Sequence, residues 1–148
     1  PAGREERMPL KLSLKPGERF VVNGAVLQNG DRRAVLLLQN KASILREKDI
    51  IQPDDVNTPG RRIYFPIMMM YLDPPEANRY YDEFVMRLNE FMGVIRSTDV
   101  LKDCVSLSRE VMAQDYYKAL TRCRKLLAYE QGLLGNVDPG VSSDSAED

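Results

Sequence analysis

The period of the hydrophobic pattern changes midway along the chain, and this change restricts the fold more than any other feature. Residues 8–66 alternate apolar and polar positions in short runs separated by turns, whereas residues 67–137 carry apolar residues at helical spacing. Alternation is typical of half-buried strands, and a spacing of 3.6 residues is typical of amphipathic helices. We therefore predict an α+β protein, in which a small antiparallel β-sheet or barrel (8–66) precedes a C-terminal bundle of about three helices (67–137).

Turn sequences divide the first half into short strands. Asn23-Gly24 is the strongest hairpin signal in the chain, and Lys15-Pro-Gly-Glu18 provides the proline and glycine of a tight turn. The predicted strands cover residues 10–14, 19–22, 25–28, 34–39 and 42–45. The pattern also allows a last strand at 61–65 and a short helical turn opened by Pro66.

The second half contains three apolar stripes, which predict helices at 76–96, 99–112 and 115–134. On these stripes we expect four core residues, namely Leu88, Phe91, Leu120 and Leu127. Cys104 and Cys123 fall on the same stripes, where a free cysteine behaves as a small hydrophobe. The acidic tail (138–148) predicts disorder, and residues 1–7 resemble a leader or tag ahead of Met8.

The composition argues against catalysis. The chain has no histidine, which removes the usual general base and most catalytic zinc sites. It also lacks a C-x-x-C pair and any glycine-rich phosphate loop. We expect a protein that is not an enzyme and needs no cofactor or metal. No apolar run is long enough to span a bilayer, and two cysteines suit a reducing compartment, so we expect a cytoplasmic protein.

Charge is divided between the two halves. Residues 1–66 hold 12 basic and 8 acidic residues (12 − 8 = +4), and residues 67–148 hold 9 and 14 (9 − 14 = −5). A basic half suggests an anionic partner, but a difference of four charges by itself favours a solvated, mixed surface over a nucleic-acid site. If the partner is a nucleic acid, as the family resemblance given below implies, its phosphates need Lys or Arg, and the candidate RNA contacts are Lys11, Lys15, Arg32, Arg33, Lys41, Arg46 and Lys48. Each could instead be a solvated side chain, and Arg46 could instead form an ion pair with Glu18 or Asp49. Phe20 is the only aromatic residue before residue 64, so arginine planes would have to replace aromatic stacking.

Nine blocks of sequence, in order, resemble the FlbT family of flagellar-biosynthesis regulators from alphaproteobacteria. The blocks are MPLKLSLKPGE (8–18), NGAV (23–26), QNGDR (28–32), LQNKAS (38–43), LREKDI (45–50), IYFP (63–66), MMMYL (68–72), NEFM (89–92) and YYKAL (116–120). The resemblance implies a regulator that associates with the 5′ untranslated region of flagellin mRNA and promotes its decay or represses its translation, although some relatives resemble activators. The alternative is a module that binds flagellin or another flagellar assembly factor through its helical half.

The first half is also similar, more weakly, to the RNA-binding protein family CsrA. Pro16-Gly-Glu18 and the segment 45–50 carry this resemblance, which matches Arg46 to an RNA-contacting arginine of that family. The first strand departs from the pattern because it offers Lys11 and Lys15 in place of paired arginines. The helical half has no counterpart in CsrA.

Overall fold

A computed structural model of the chain describes residues 10–136, so the predictions for residues 1–7 and for the acidic tail lie outside the described part. The chain forms two compact units, with the boundary between Ile50 and Ile51. The first unit contains strands and the second contains helices. The α+β prediction is confirmed. The sequence pattern placed the change from strands to helices later, at residue 66.

Between residues 10 and 50 the first unit contains five strands: β1 (Leu10–Leu14), β2 (Arg19–Val22), β3 (Ala25–Gln28), β4 (Ala34–Leu38) and β5 (Ile44–Arg46). All pairings are antiparallel. β1 pairs with β4, and β2 lies between β3 and β5. Asn23 and Gly24 both have positive φ, 51° and 85°, which is the backbone of a two-residue type I′ hairpin turn. The hairpin predicted from these two residues is confirmed.

Burial is uneven across these strands. β2 and β5 are well buried, whereas every residue of β3 is exposed and β4 has an exposed centre. The core residues of this unit are Leu12, Leu14, Phe20, Val21, Ile44 and Leu45. The alternation in β1 has the expected effect over most of the strand, because Leu12 and Leu14 are buried while Lys11 and Ser13 are exposed. Leu10, at the start of the strand, departs from it and is exposed.

The second unit contains four helices within the described residues: α1 (Pro59–Leu72), α2 (Ala77–Val94), α3 (Thr98–Met112) and α4 (Tyr116–Asn136). α1 packs against α2 and α4, and α3 packs against α4. The last three helices begin and end within two residues of the predicted positions.

Helix α1 corrects the prediction for residues 61–65, which are helical and not a strand. Thr58 caps its start, where the hydroxyl oxygen accepts a hydrogen bond from the Arg61 N–H at 3.1 Å. The helix continues through Pro66, a residue that ordinarily disrupts a helix because it lacks an N–H. Burial of residues on both sides of the proline, such as Tyr64 and Ile67, stabilises the helix there.

The predicted core of the helical unit is largely confirmed. Leu88, Phe91 and Leu120 are buried, whereas Leu127 is only half-buried. Cys104 and Cys123 are both free and buried. Burial raises the pKa of the Cys104 thiol to about 11, so both geometry and chemistry agree with a small hydrophobic side chain.

Candidate nucleic-acid interface

An open groove of about 620 Å³ lies in the first unit between the β1–β2 turn and the end of β5. Its lining consists of Lys15, Pro16, Gly17, Glu18, Arg46, Glu47 and Lys48. Three of the seven basic residues predicted to contact RNA therefore line one groove, although the segments that carry them are about thirty residues apart in sequence.

The turn that forms one wall follows from its sequence. Pro16 fixes φ at the second turn position, and Gly17 adopts a positive φ of 72° at the third, as a type II turn requires. The Glu18 N–H donates to the Lys15 carbonyl at 3.1 Å and closes the turn. A further bond, from the Gly17 N–H to the Gly30 carbonyl at 2.8 Å, ties this turn to the β3–β4 turn. The wall is therefore held by backbone hydrogen bonds at two points.

Arg46 is positioned by the pairing of β5 with β2, which places it opposite Phe20. Its Nε and Nη2 atoms donate to the Glu18 carboxylate at 3.0–3.1 Å, and Nη2 also donates to the Ser13 carbonyl. This is the Glu18 ion pair that the sequence offered as an alternative role for Arg46. The Arg46 side chain nevertheless remains 30% exposed and lines the groove.

Glu18 itself is held from two sides. The Lys15 N–H donates to its Oε1 atom at 2.9 Å, and the Arg46 guanidinium adds a second set of donors. The Lys15 N–H, followed by Arg46, lowers the pKa of Glu18 against the opposing effect of burial. The carboxylate therefore stays charged at neutral pH and orients Arg46 in one position.

Glu47, the second acidic residue of the groove, also accepts a hydrogen bond from the backbone. The Arg19 N–H donates to Glu47 Oε1 at 2.7 Å. With Lys15, Arg46 and Lys48 against Glu18 and Glu47, the formal charge of the lining is 3 − 2 = +1. Both acids accept hydrogen bonds from the protein, and Lys15 and Lys48 are exposed. The two lysines are the cations that an incoming phosphate can reach.

The other four predicted contacts do not line this groove. Lys11 lies on β1, Arg32 and Arg33 precede β4, and Lys41 follows it. All four are exposed. Phe20 is 4% exposed and belongs to the core, so it offers no stacking platform, as the shortage of aromatic residues in this half indicated.

Sequence reasoning did not identify Glu47 as part of this site. The observed register of β2 and β5 explains its place: extended by one residue, it puts Glu47 opposite Arg19. Because that register joins segments 28 residues apart, no local sequence pattern reveals it.

The described residues offer little for other kinds of site. No group of three or more His, Cys, Asp or Glu side chains within residues 10–136 could hold a metal ion. In the same range, none of the helices has both the length and the apolar character needed to cross a bilayer.

Comparison with known proteins identifies the family. The profile of the flagellar protein FlbT family matches residues 10–134. The flagellum biosynthesis repressor protein FlbT of Caulobacter vibrioides (strain ATCC 19089 / CIP 103742 / CB 15) is 67% identical over 136 residues, covering 92% of this chain and 96% of that protein. A probable flagellum biosynthesis repressor from Rhodopseudomonas palustris (strain TIE-1) is 39% identical over 129 residues, covering 86% and 98%. No solved structure matches the chain. The family profile spans both units and the identity extends over nearly the whole length of these relatives, so the chain belongs to the FlbT family of flagellar proteins.

Proposed function

We propose that this protein is a cytoplasmic, non-enzymatic regulator of flagellum biogenesis that associates with the 5′ untranslated region of flagellin mRNA and promotes its decay or represses its translation. The names of its relatives as flagellum biosynthesis repressors support the regulatory part. The observation that supports RNA as the ligand is the groove, which Lys15 of the β1–β2 turn lines together with Arg46 and Lys48 from the end of β5 and the turn after it.

The groove suits single-stranded RNA better than a duplex. Two exposed lysines supply point charges for phosphates, and the Nη1 atom of Arg46, which the bonds to Glu18 and Ser13 do not use, supplies a further charged donor. Unpaired bases in a loop present edges that accept such hydrogen bonds, whereas the deep groove of an RNA helix hides them. The ion pair with Glu18 holds the Arg46 guanidinium in place before RNA arrives, which reduces the entropy lost on binding.

Binding of the purified protein alone to a flagellin leader RNA, measured by mobility shift, tests this proposal. Arg46→Lys keeps the charge, but a lysine cannot bond to Glu18 and Ser13 and also present a second oriented donor to RNA, so we expect it to weaken binding roughly tenfold. Arg79→Lys is the matched control, because Arg79 is an exposed arginine on the helical unit that also pairs with a glutamate, Glu76, and it should leave affinity unchanged. Equal affinities for wild type and Arg46→Lys would remove Arg46 from the site.

A second pair of variants separates an RNA contact from a purely structural ion pair. Glu18→Gln and Glu47→Gln each remove one negative charge from the groove, but only Glu18→Gln releases the guanidinium. If Arg46 contacts RNA, the two variants should change affinity by different factors. Equal changes, together with lower thermal stability only for Glu18→Gln, would indicate that the pair serves the fold alone.

The alternative function, binding of flagellin or another flagellar assembly factor, has its own support in the helical unit. Several apolar residues of α2 and α3 are exposed, the most open being Val94 at 71% and Met112 at 67%. Exposed apolar side chains on helices suit contact with a partner helix. Binding of purified flagellin that is abolished by Met112→Glu, with no RNA binding by the wild type, would favour this function over the first.

A further inference from the structure

A second cavity, of about 250 Å³, lies in the helical unit where the start of α2, the end of α3 and the start of α4 meet. Two tyrosines, two amide side chains and two apolar residues form most of its wall: Tyr81, Tyr116, Asn78, Gln114, Val111 and Met112. None of the residues that line it is charged, although 29% of the chain is. The cavity is smaller than the roughly 300–1,000 Å³ of sites for drug-sized ligands, so it suits a small uncharged ring system.

The polar groups at this cavity are available to a ligand. Within residues 10–136 no hydrogen bond to another protein group uses the side chains of Asn78, Tyr81, Gln114 or Tyr116. Each amide offers both donors and an acceptor, and each phenol hydroxyl can do either. Burial raises the pKa of Tyr116, so its hydroxyl stays protonated at neutral pH and can donate. The Tyr81 ring packs against the buried Phe84, with ring centroids 6.3 Å apart, which holds it in place.

Gln114 gives this cavity a strained backbone. Its φ is 62°, in the left-handed region where a glycine usually ends a helix. A glutamine at this position forgoes the stability that a glycine would provide. Strain of this kind in a residue other than glycine clusters at ligand sites, where the side chain itself is needed. The strained residue and the unpaired amide are therefore one and the same, and both face this cavity.

We propose that this cavity binds one unpaired nucleobase, which stacks on Tyr81 and Tyr116 and whose edge hydrogen-bonds to the amides of Asn78 and Gln114. Unpaired RNA bases are recognised by aromatic stacking combined with hydrogen bonds to their edges, and Asn and Gln amides match the adjacent donor and acceptor of a base edge. A phosphate does not suit the cavity because no cation lines it. The inference rests on the proposed function, since it makes the base part of RNA, and it supplies the aromatic contact that the first unit lacks.

The first test uses free nucleosides, so that it does not depend on RNA binding. Adenosine, guanosine, cytidine and uridine are added separately to the full chain, and saturation-transfer NMR detects binding. Ribose is the control that lacks a base. At least one nucleoside should bind and ribose should not. No binding by any nucleoside would overturn the proposal, as would equal binding of ribose.

Two adjacent tyrosines provide matched variants for the stacking contact. Tyr116 lines the cavity, whereas Tyr117 is 50% exposed and does not line it. Tyr116→Leu should raise the nucleoside Kd roughly tenfold, which is typical for the loss of one stacked base. Tyr117→Leu should leave the Kd unchanged. The opposite result would place the base on the surface of α4 around Tyr117 and overturn the proposal.

Gln114→Gly tests the amide contact in a variant for which misfolding cannot explain a loss of binding. Glycine suits the left-handed backbone, so the melting temperature should not fall. The nucleoside Kd should nevertheless rise roughly tenfold, because the amide that bonds to the base edge is gone. Gln131→Gly removes the same side chain from α4 outside the cavity and should bind like wild type. A Kd for Gln114→Gly equal to that of wild type would contradict this contact.

Leader RNA separates this inference from the proposed function. Tyr116→Leu and Gln114→Gly should weaken RNA binding but leave its salt dependence unchanged, because a base contact releases no counterions. Binding of nucleosides without any binding of leader RNA would leave the cavity as a nucleoside site and contradict the proposed function. Wild-type RNA affinity in both variants would overturn the cavity as a base site in RNA and leave the proposed function intact.

Discussion

Gln114 has a backbone conformation that its side chain does not favour. It links α3 to α4 with φ of 62°. Its N–H donates to the Val111 carbonyl at 2.9 Å, and the Asp115 N–H donates to the Glu110 carbonyl at 2.9 Å. These two bonds form the Schellman motif that ends many helices, in which glycine is usual at the left-handed position. Glutamine there is strained because its Cβ crowds the following carbonyl.

We therefore predict that Gln114→Gly raises the free energy of unfolding by about 0.5–1 kcal/mol. Glycine removes about 1–2 kcal/mol of strain from the left-handed conformation. It also loses more conformational entropy on folding, which costs roughly 0.5–1 kcal/mol, so the net effect is stabilising. Urea unfolding followed by tyrosine fluorescence measures the difference. Gln131→Gly, inside α4, is the control and should destabilise by about 0.5–1 kcal/mol. A loss of stability for both would show that the left-handed turn is unstrained.

Glu18 makes the free energy of unfolding depend on pH in the acid range. Its pKa is lowered by the Lys15 N–H and by Arg46, so the folded state favours the charged carboxylate. The resulting stability is fully present above the ordinary carboxyl pKa of about 4.3 and is lost as pH falls through the lower pKa of the folded state. We expect Glu18→Gln to have a shallower loss of stability than wild type below about pH 4.3. Parallel acid profiles for the two proteins would contradict this.

At the scale of elements, the side-chain carboxylate of one residue on α4 binds the start of α1. Glu130 on α4 is 8% exposed. It accepts hydrogen bonds from the Thr58 hydroxyl at 2.7 Å and from the Gly60 N–H at 2.8 Å, at the start of α1. A negative charge there satisfies N–H groups that the helix itself leaves unpaired and interacts favourably with the helix dipole.

A glycine at position 60 lets the Glu130 side chain come close to the backbone of α1. A Cβ at residue 60 would lie 2.8 Å from Glu130 Oε1 and 3.0 Å from Leu127 Cδ2. We expect Gly60→Ala to lower the free energy of unfolding by about 1–3 kcal/mol. Gly132→Ala is the control, because nothing lies within 4 Å of its Cβ position and it is inside α4. That change should stabilise by about 0.5–1 kcal/mol. Thermal melts of both variants measure the contrast, and stabilisation by Gly60→Ala would mean that α1 and α4 approach less closely.

For the molecule as a whole, the elements that depend on neighbouring residues could be predicted from the sequence. Asn23-Gly24 and Pro16-Gly17 predicted the turns, and the apolar stripes predicted helices α2 to α4. Helix α1 was missed because tertiary burial stabilises it, while Pro66 and the β-prone residues before it indicate a break. Helix α4 ends at Asn136, two residues beyond the end that its apolar stripe predicted.

The candidate site, too, could be predicted from the sequence only in part. The basic residues were visible in the sequence, and the Glu18–Arg46 pair was foreseen as one alternative. Their grouping with Lys15 and Lys48 depends on the pairing of β2 with β5, which joins residues more than twenty positions apart. Non-local pairing of this kind is decided by the packing of the complete sheet and not by any short segment.

The charge division between the halves leads to the last prediction, which concerns how RNA affinity depends on salt. Each phosphate neutralised on a single strand contributes about −0.7 to the slope of log affinity against log salt concentration. If RNA binds in the groove, Lys48→Gln should reduce the steepness of that slope by about 0.7 and weaken binding similarly for all sequences. Lys118→Gln removes an equal charge from the exposed surface of α4 and should leave the slope unchanged. Fluorescence anisotropy with a labelled leader RNA at several salt concentrations gives both slopes. A slope that falls for Lys118→Gln and not for Lys48→Gln would place the RNA on the helical unit, because the released counterions would then come from phosphates held there.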